Sequence, residues 1–473
     1  MVTDENSEHT DVSQTFSFIS DILKARPSEN KHIKDFATLI REDFTLFCDS
    51  VSGLNQMKDV SVFEKIINEM KLISNCPPLH SKMVGAIGGG FSSGKSSFIN
   101  SFMKGDSVQL ATGIVPVTAI PSYVIRGDKP DIKGVSFRGG SFGITKEMYQ
   151  AISHELIKKL DFNLKEILSY VTVTTNLTGE LFDKICLIDT PGYDAPGIGS
   201  TEQDREIAFS YIRDAKFLIW LVGLDSKGTI NSNDIEFLEN FPFGKEENRK
   251  LYIVANKAGL VSPSHHQEIL DTITGVLDDY DLRYEGISLY DSVQGKEYLH
   301  EGTSISDFIK SQNIATEKYS DLVRPLYEVF SRYEAYVKDK NQKDVEYQRK
   351  IKSLILDAYT SNAISLSSNN SCQLEDGLNE LKKYLRPDNI DETINKIIDI
   401  RTKLTDCLDQ FCSEMGIQKT DISFQNADSA IANEHSSSAS FAQTRKKFCN
   451  KCGTKITDNI KFCPKCGTSV FLD

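Results

Sequence analysis

Eight residues near the N-terminal end have the composition and spacing of a phosphate-binding loop. They extend from Gly89 to Ser96 and read Gly-Gly-Phe-Ser-Ser-Gly-Lys-Ser. In such a loop, backbone N–H groups at a helix N-terminus surround the β-phosphate of a nucleotide, a lysine places its charge between the β- and γ-phosphates, and a hydroxyl binds Mg²⁺. We therefore expect Lys95 to contact the phosphates and Ser96 to bind Mg²⁺. The residues expected to contact the nucleotide here are Gly89, Gly90, Ser93, Gly94, Lys95, Ser96 and Ser97.

A second motif follows the apolar run from Ile185 to Ile188 and reads Asp189-Thr190-Pro191-Gly192. The carboxylate of Asp189 can hold Mg²⁺ through a water molecule, and the N–H of Gly192 can face the γ-phosphate. Alone, this tetrapeptide is a common turn. After a phosphate loop, it predicts the second half of a site for Mg²⁺ and a triphosphate.

A threonine-containing segment separates the two motifs. Residues 110–119 read Leu-Ala-Thr-Gly-Ile-Val-Pro-Val-Thr-Ala. A threonine in such a segment can cover the γ-phosphate and complete the oxygen shell of Mg²⁺. We expect Thr118 to do so, and the alternatives are Thr112 or no threonine.

The segment expected to hold the base reads Asn256-Lys257-Ala258-Gly259 and follows an apolar run. The pattern Asn-Lys-x-Asp would place an aspartate at the fourth position, where it accepts hydrogen bonds from N1 and N2 of guanine. Asn256 and the stem of Lys257 can hold a purine, but Gly259 cannot make the two hydrogen bonds that reject adenine. We also expect a backbone contact to the base from Ser288. These residues leave the choice of base open.

Four of the ten cysteines lie near the C-terminus in two Cys-x-x-Cys pairs. Each pair can present two thiolates to one tetrahedral ion, and four thiolates with no open position describe structural Zn²⁺. Disulfides or free thiols are the alternative, which a reducing compartment disfavours. The expected zinc ligands are Cys449, Cys452, Cys463 and Cys466. The tail from residue 445 carries seven basic and two acidic residues, so it could dock on an acidic protein, on the chain's own acidic body, on anionic lipid or on RNA.

The elements that must position these motifs are short β-rich runs that alternate with helical stretches. This alternation predicts a mostly parallel, doubly wound α/β sheet in residues 79–303, with ligands at the carboxyl ends of the strands. Helical periodicity in residues 1–78 and 304–420 predicts α-helices on both sides of this domain in the sequence. A linker rich in Ser, Ala, Asn and Gln, residues 421–444, precedes a zinc ribbon at residues 445–473.

The bulk composition narrows the functional class. The chain has 54 basic and 67 acidic residues and a formal charge of −13, so contact with nucleic acid or anionic lipid would have to be local, as at the zinc ribbon. No apolar run is long enough for a spanning helix, and the start has no secretory pattern. We therefore expect a cytoplasmic protein that reaches a membrane only peripherally.

At this point a family resemblance becomes specific. The runs GGFSSGKSSFIN, TGIVPVT and DTPG, within about Lys82 to Leu299, resemble the bacterial members of the dynamin superfamily. The resemblance implies a P-loop GTPase domain that binds GTP and GDP, pairs with a second G domain, moves a helical bundle and remodels membranes. It also implies that Ser92 helps to hold a charge-compensating cation. With Ser92, the expected catalytic residues are Lys95, Thr118 and Gly192.

Two positions depart from related GTPases. Phe91 stands where dynamins carry a glutamine, and Tyr193 stands where other GTPases carry one. The attacking water must therefore be positioned by backbone groups, by Thr118 or by a second protomer, and we expect slow turnover by a lone monomer. GTP is expected as the substrate because of the family resemblance, since Gly259 leaves the base open.

Three functions compete at this stage. The first is a dynamin-like GTPase that acts mechanically on membranes. The second is a regulatory switch in which nucleotide state controls recruitment of a protein or ribonucleoprotein through the helices and the zinc ribbon. The third is a nucleotide-binding protein that has lost turnover.

Overall fold

The apolar and β-branched runs of the sequence form ten strands. Their bounds are β1 Met83–Gly89, β2 Ser122–Arg126, β3 Asp131–Ser136, β4 Ser141–Gly143, β5 Leu168–Thr175, β6 Ile185–Asp189, β7 Phe217–Gly223, β8 Lys250–Asn256, β9 Gly286–Asp291 and β10 Lys296–Gly302. They make one sheet in the order β10-β9-β8-β7-β1-β6-β2-β5-β3-β4. The computed structural model describes residues 16–27, 30–51, 54–90, 92–105, 107–112, 120–151, 164–192, 209, 211–213, 215–224, 229–230, 232–239, 243, 249–360, 376–377, 380 and 390–420.

The sheet is mixed, with a parallel centre. Strands β9, β8, β7, β1 and β6 are parallel neighbours, whereas β2 pairs antiparallel with β6. Strand β5 is parallel to β2, and antiparallel β3 and β4 extend that edge, while antiparallel β10 forms the other edge. The predicted α/β class is confirmed. The antiparallel edges are an addition that the alternation of strands and helices did not predict.

Some helices lie between the strands in the sequence, and others precede the first strand or follow the last one. Around the sheet lie α4 Lys95–Asn100, α5 Lys146–Ala151, α6 Gly179–Phe182, α7 Ser232–Glu239, α8 His266–Asp279 and α9 Ile305–Gln312. Outside it lie α1 Lys31–Leu39, α2 Thr45–Ser50, α3 Gln56–Asn75, α10 Lys318–Thr360 and α11 Ile390–Met415. A π-helical turn, Ile40–Phe44, joins α1 to α2. Within the described residues, no helix has both the length and the apolar character needed to cross a bilayer.

The central strands are buried because helices cover both faces of the sheet. One core includes Ile87 of β1 and Phe308 of α9, and the opposite core includes Trp220 of β7 and Ile273 of α8. The indole of Trp220 is fully buried, and its N–H donates to the Asp234 carboxylate at 3.2 Å. The packed strands therefore hold the residues at their carboxyl ends in fixed positions.

The N-terminal and C-terminal helices pack together as one bundle. The rings of Phe44 and Phe63 lie edge to face at 4.8 Å, and both contact Phe330 of α10. Asp59, almost fully buried on α3, forms an ion pair with Arg332 and accepts a hydrogen bond from the Tyr333 hydroxyl at 3.1 Å. The α3 stripe of Phe63, Ile66 and Met70 is buried, as its spacing predicts.

The bundle is covalently continuous with the centre of the sheet. Helix α3 ends at Asn75, and a 3-10 turn, Pro77–Ser81, leads into β1. Further contacts join α10 to this part of the molecule: Lys318 pairs with Glu69, and Lys216 lies 3.3 Å from Asp321. The chain divides into two compact units, residues 1–420 and 421–473, and every described residue belongs to the first.

Candidate nucleotide-binding site

The phosphate loop connects β1, in the middle of the sheet, to α4. Gly89 and Gly94 have φ values of 140° and 90°, which L side chains rarely adopt. A Cβ at Gly89 would lie 2.3 Å from the Leu221 carbonyl oxygen, and one at Gly94 would lie 2.3 Å from Nδ2 of Asn256. Both positions therefore require glycine, for backbone conformation and for space.

Lys95 is the first residue of α4, and its ammonium group lies inside the loop. The Nζ atom donates to the carbonyl oxygens of Gly89 and Gly90, at 3.0 and 2.9 Å, and the side chain is nearly buried. The Ser93 hydroxyl also donates to Gly90, at 2.9 Å. The loop thus places a cation among backbone groups at a helix N-terminus, an arrangement suited to phosphate oxygens.

Ser96 and Asp189 meet beside Lys95. The Ser96 hydroxyl donates to Oδ2 of Asp189 at 2.6 Å, and both side chains are buried. Asp189 ends β6, where it pairs with Ile87 of β1, and the Thr190 hydroxyl donates to the Ile87 carbonyl at 2.7 Å. The sequence reasoning did not assign this anchoring role to Thr190.

The Ser96 and Asp189 oxygens fit Mg²⁺, which prefers hard oxygen ligands and usually binds proteins through one or two carboxylates, with substrate phosphates and water in the remaining positions. In the described part of the chain, no group of three or more His, Cys, Asp or Glu side chains could hold a metal ion. A metal held by one hydroxyl and one carboxylate would therefore depend on the nucleotide for further ligands.

Asn256, at the end of β8, joins the phosphate loop to the loop after β9. Its Nδ2 donates to the Ser93 carbonyl at 2.8 Å, and its Oδ1 accepts from the Ser292 N–H at 3.1 Å and the Ser292 hydroxyl at 2.8 Å. Asn256 is fully buried, and the next residue, Lys257, has a φ of 69°. The side chain that the sequence assigns to purine binding thus connects two loops at the site.

Ser288 is placed differently from its sequence assignment. It lies in the middle of β9, paired with Val254 on one side and His300 on the other. Its hydroxyl donates to Glu297 and lies 2.6 Å from the Tyr252 hydroxyl. Ser288 thus lies inside the sheet with a neighbouring strand on each side, and its backbone contact with the base stays a prediction. The strand instead ends at Asp291, which the sequence reasoning did not single out.

The end of β9 is held against α4. The hydroxyls of Tyr290 and Ser101 lie 2.9 Å apart, and the Tyr290 ring contacts Phe98 edge to face. Burial raises the pKa of Tyr290, so the phenol stays neutral near pH 7. The end of β9 and the phosphate loop are therefore both fixed to α4.

Asn100 anchors the start of the threonine-containing segment. Its amide donates to the Leu110 carbonyl and accepts from the Leu110 N–H, both at 2.8 Å. Thr112 and Ser92 are exposed, and Gly192 is partly buried, three residues after Asp189. Several assigned positions lie outside the described residues: Phe91, Thr118, Tyr193, Cys449, Cys452, Cys463 and Cys466.

Two segments of the chain match known protein families. Residues 86–258, which include the phosphate loop and Asn256, match the dynamin family, and residues 448–470 match the zinc-ribbon domain. The middle of the chain is thus similar to the dynamin family, and its C-terminal residues are similar to zinc ribbons. The dynamin-family match spans Lys95, Ser96 and Asp189, which lie in the motifs on which the sequence resemblance is based.

Solved structures resemble this chain only at low sequence identity and low TM-score. One chain of an oligomerised bacterial dynamin pair, described as sensing and tethering membranes, aligns at 17% identity and a TM-score of 0.35, over 62% of this chain and 46% of the other. A second chain described in the same terms aligns at 15% identity and a TM-score of 0.31, over 89% and 80%. Era from Aquifex aeolicus, bound to GDP and AlF₄⁻, aligns at 15% identity and a TM-score of 0.28, over 53% and 68%.

These likenesses are distant, and this chain spans less than half the length of the first relative. No curated protein sequence matches it. The functional proposals below therefore depend on the chain's own residues.

Proposed function

We propose that this protein binds GTP with Mg²⁺ at the phosphate loop and hydrolyses it to GDP and phosphate. The observation that carries the proposal is the 2.6 Å contact between the Ser96 hydroxyl and the Asp189 carboxylate, next to the buried ammonium group of Lys95. A hydroxyl, a carboxylate and a lysine at a helix N-terminus are the groups that phosphoryl transfer requires around its phosphates.

Each group has a defined role in this proposal. Lys95 neutralises charge that develops on the transferred phosphoryl group, and the N–H of Gly192 faces its γ-oxygens. Mg²⁺, held through Ser96, Thr118 and Asp189, would supply charge stabilisation between the β- and γ-phosphates. Ser92, exposed and with a φ of 59°, would help to hold a charge-compensating cation.

Turnover is proposed to depend on a second copy of the chain. Phe91 and Tyr193 have no carboxamide with which to orient water, so backbone groups, Thr118 or a second G domain must position the nucleophile. The exposure of Ser92 leaves this edge of the loop accessible to a partner. Pairing would therefore complete the site and raise the rate.

The helical bundle is the element proposed to move with nucleotide state. Strand β1, which delivers the phosphate loop, follows α3 through the 3-10 turn, and the Thr316 hydroxyl donates to the His80 carbonyl of that turn at 3.2 Å. A cavity of about 880 Å³ lies between α3, α10 and the sheet and is lined by Lys65, Tyr123 and Lys318, among others. Rearrangement at the loop could thus be transmitted to α3 and α10.

A second function is nucleotide-controlled recruitment of a protein partner. The match of residues 448–470 to the zinc-ribbon domain favours it, because a small ribbon held by Zn²⁺ through four cysteines is a common docking module. Action at a membrane predicts that anionic lipid raises GTPase activity, whereas recruitment of a protein partner predicts no effect of lipid.

The test is phosphate release from GTP and ATP, measured against protein concentration with and without vesicles containing anionic lipid. The proposal predicts a specific activity for GTP that rises with protein concentration and rises further with vesicles. No effect of lipid, combined with nucleotide-dependent capture of a protein partner, would favour recruitment. Tight binding with negligible turnover of both nucleotides at every concentration would contradict the GTPase proposal.

A further inference from the structure

The base-reading segment has a glycine where an acidic side chain would stand, and a neighbouring residue fills the space. Gly259 lies in the 3-10 turn Ala258–Leu260, and its φ is outside the left-handed region that excludes side chains. A Cβ at this position would nevertheless lie 2.0 Å from Oδ2 of Asp291 and 3.2 Å from Nε2 of Gln294. A larger residue at position 259 would therefore require the Asp291 carboxylate to shift, whereas the local backbone would accept it.

The Asp291 carboxylate is fixed in this position by the loop that it begins. Asp291 is the last residue of β9 and is 6% exposed. Its Oδ1 accepts from the N–H groups of Val293 and Gln294, at 2.8 and 3.0 Å. These two hydrogen bonds orient the carboxylate. Its Oδ2 is the oxygen closest to the position that a Cβ on residue 259 would occupy.

The same carboxylate is connected to the phosphate loop. Ser292, the residue after Asp291, donates its N–H and its hydroxyl to Asn256, and Asn256 donates to the Ser93 carbonyl. The distance between the phosphate-binding groups and Asp291 is thus set by a buried asparagine. A nucleotide seated on the phosphate loop would present its base to the segment that contains Lys257 and Asp291.

We propose that Asp291 reads the guanine base and takes the role of the aspartate absent from position 259. A carboxylate has about four lone-pair sites, so Asp291 can keep its two backbone hydrogen bonds and also accept from N1–H and N2–H of guanine. Adenine has neither donor, and its N1 lone pair would face the carboxylate. This inference rests on the proposed binding of GTP and assigns the base preference to a residue on the following strand.

The first test compares affinities of the full-length protein for the Mg²⁺ complexes of GTP, ATP and xanthosine triphosphate. In Asp291→Asn, the amide offers one acceptor and one donor, which match N1–H and the C2 carbonyl of xanthine. We expect GTP to bind about a hundredfold more weakly, since the negative charge is lost and the amide donor would face the N2 donor of guanine. Xanthosine triphosphate should bind more tightly than it does to the unchanged protein, and ATP affinity should change little. A purely structural role for Asp291 would lower all three affinities together.

A second test uses three variants to move the carboxylate back to position 259. Asp291→Ser should lose the preference for GTP over ATP, and Gly259→Asp combined with Asp291→Ser should restore it, because Asp291 no longer occupies the space. Gly259→Asp alone should lower GTP affinity, since the two carboxylates would collide. These three variants test the base assignment if Asp291→Asn does not fold.

The outcomes separate this inference from the function that it rests on. If the unchanged protein binds no triphosphate, the proposed function fails. If it binds GTP and ATP equally, or if Asp291→Asn keeps the original preference for GTP, the base assignment is overturned while triphosphate binding stands.

Discussion

The hydroxyl of Ser96 lies 2.6 Å from the carboxylate of Asp189, although 93 positions separate the two residues in the sequence. The contact exists because β1 and β6 are parallel neighbours, so the loop after one strand and the last residue of the other meet at the same edge of the sheet. The two oxygen atoms are therefore close enough to act on the same Mg²⁺ ion.

Removing either oxygen should weaken the dependence of GTP binding on Mg²⁺. Asp189→Asn is expected to lower the apparent Mg²⁺ affinity by about 10- to 100-fold, the usual cost of a lost metal-orienting group, and Ser96→Ala should act in the same direction. Titration of Mg²⁺ against binding of a fluorescent GTP analogue measures the effect. Ser311→Ala, which removes an exposed hydroxyl from α9, is the matched control and should leave the titration unchanged. An unaltered Mg²⁺ midpoint in Asp189→Asn would contradict the assignment.

Asn256→Ala should destabilise the fold as well as the site. The substitution removes three buried hydrogen bonds, to Ser93 and to both donors of Ser292. Buried polar groups without partners cost about 1–3 kcal/mol each, so the loss of three partners should lower the free energy of unfolding by at least about 3 kcal/mol. Denaturant unfolding measures it. Asn395→Ala, at an exposed position of α11, should change stability by less than about 0.5 kcal/mol. Equal effects of the two substitutions would count against the joining role of Asn256.

The buried ion pair of the bundle should be costly to break from one side. Arg332→Leu leaves the Asp59 carboxylate almost fully buried without its cation, and we expect a loss of about 3 kcal/mol, because an unpaired buried charge is strongly unfavourable and Arg332 is itself partly exposed. Asp59→Leu combined with Arg332→Leu should recover part of this loss. Lys403→Ala breaks an exposed pair with Asp43 and should cost less than about 1 kcal/mol. Thermal or denaturant unfolding compares the four proteins, and similar losses for Arg332→Leu and Lys403→Ala would disagree with burial as the cause.

Stability should fall at alkaline pH in part because of Cys76. Burial raises the pKa of this thiol from 9.0 to about 11. The thiol is neutral in the folded protein over a range in which the unfolded chain would already lose the proton. Its contribution to stability is therefore fully present below pH 9 and is lost as pH rises from 9 to about 11. Cys76→Ala should flatten the fall of unfolding free energy in this window, and an unchanged slope would contradict the prediction.

Zinc should belong to the tail and not to nucleotide binding. Replacing Cys449 and Cys452 by Ser is expected to remove about one zinc ion per chain, measured by metal analysis, because two of four tetrahedral ligands are lost. The residues proposed to bind GTP all lie within residues 1–420, which form one compact unit, and we expect GTP affinity to stay within about twofold of its original value. Retention of zinc by this variant would refute the assigned ligands.

The sequence located the strands and the glycine-rich loop at this edge of the sheet because its signals are local. The loop from Gly89 to Ser96 contains its own glycines, lysine and hydroxyl, and the apolar runs of β1 and β6 show where the strands end. Parallel strands buried on both faces have near-continuous apolar sequences, which made these strands visible. The stripe on α3 was predicted for the same reason, since its period matches one buried face.

The two edge strands and the position of Asp291 were not predicted, because they depend on contacts that no local sequence pattern reveals. Strand β10 is largely exposed and reads Lys-Glu-Tyr-Leu-His-Glu-Gly, and short β4 lies at the opposite edge, so neither has an apolar signature. Ser288 was chosen as a polar residue near the end of a strand, but β9 continues to Asp291. The rule that ligands bind at the carboxyl ends of strands could have indicated Asp291, whereas its closeness to Gly259 required the fold.

The central claim is that Lys95 and its loop bind GTP for hydrolysis, and the most direct measurement is phosphate release from Mg²⁺-GTP by the unchanged protein and by Lys95→Ala at the same high concentration. The account predicts measurable release by the unchanged protein and at least about a hundredfold less by Lys95→Ala, because the charge on the phosphates loses its compensating cation. Equal release by the two proteins would contradict it.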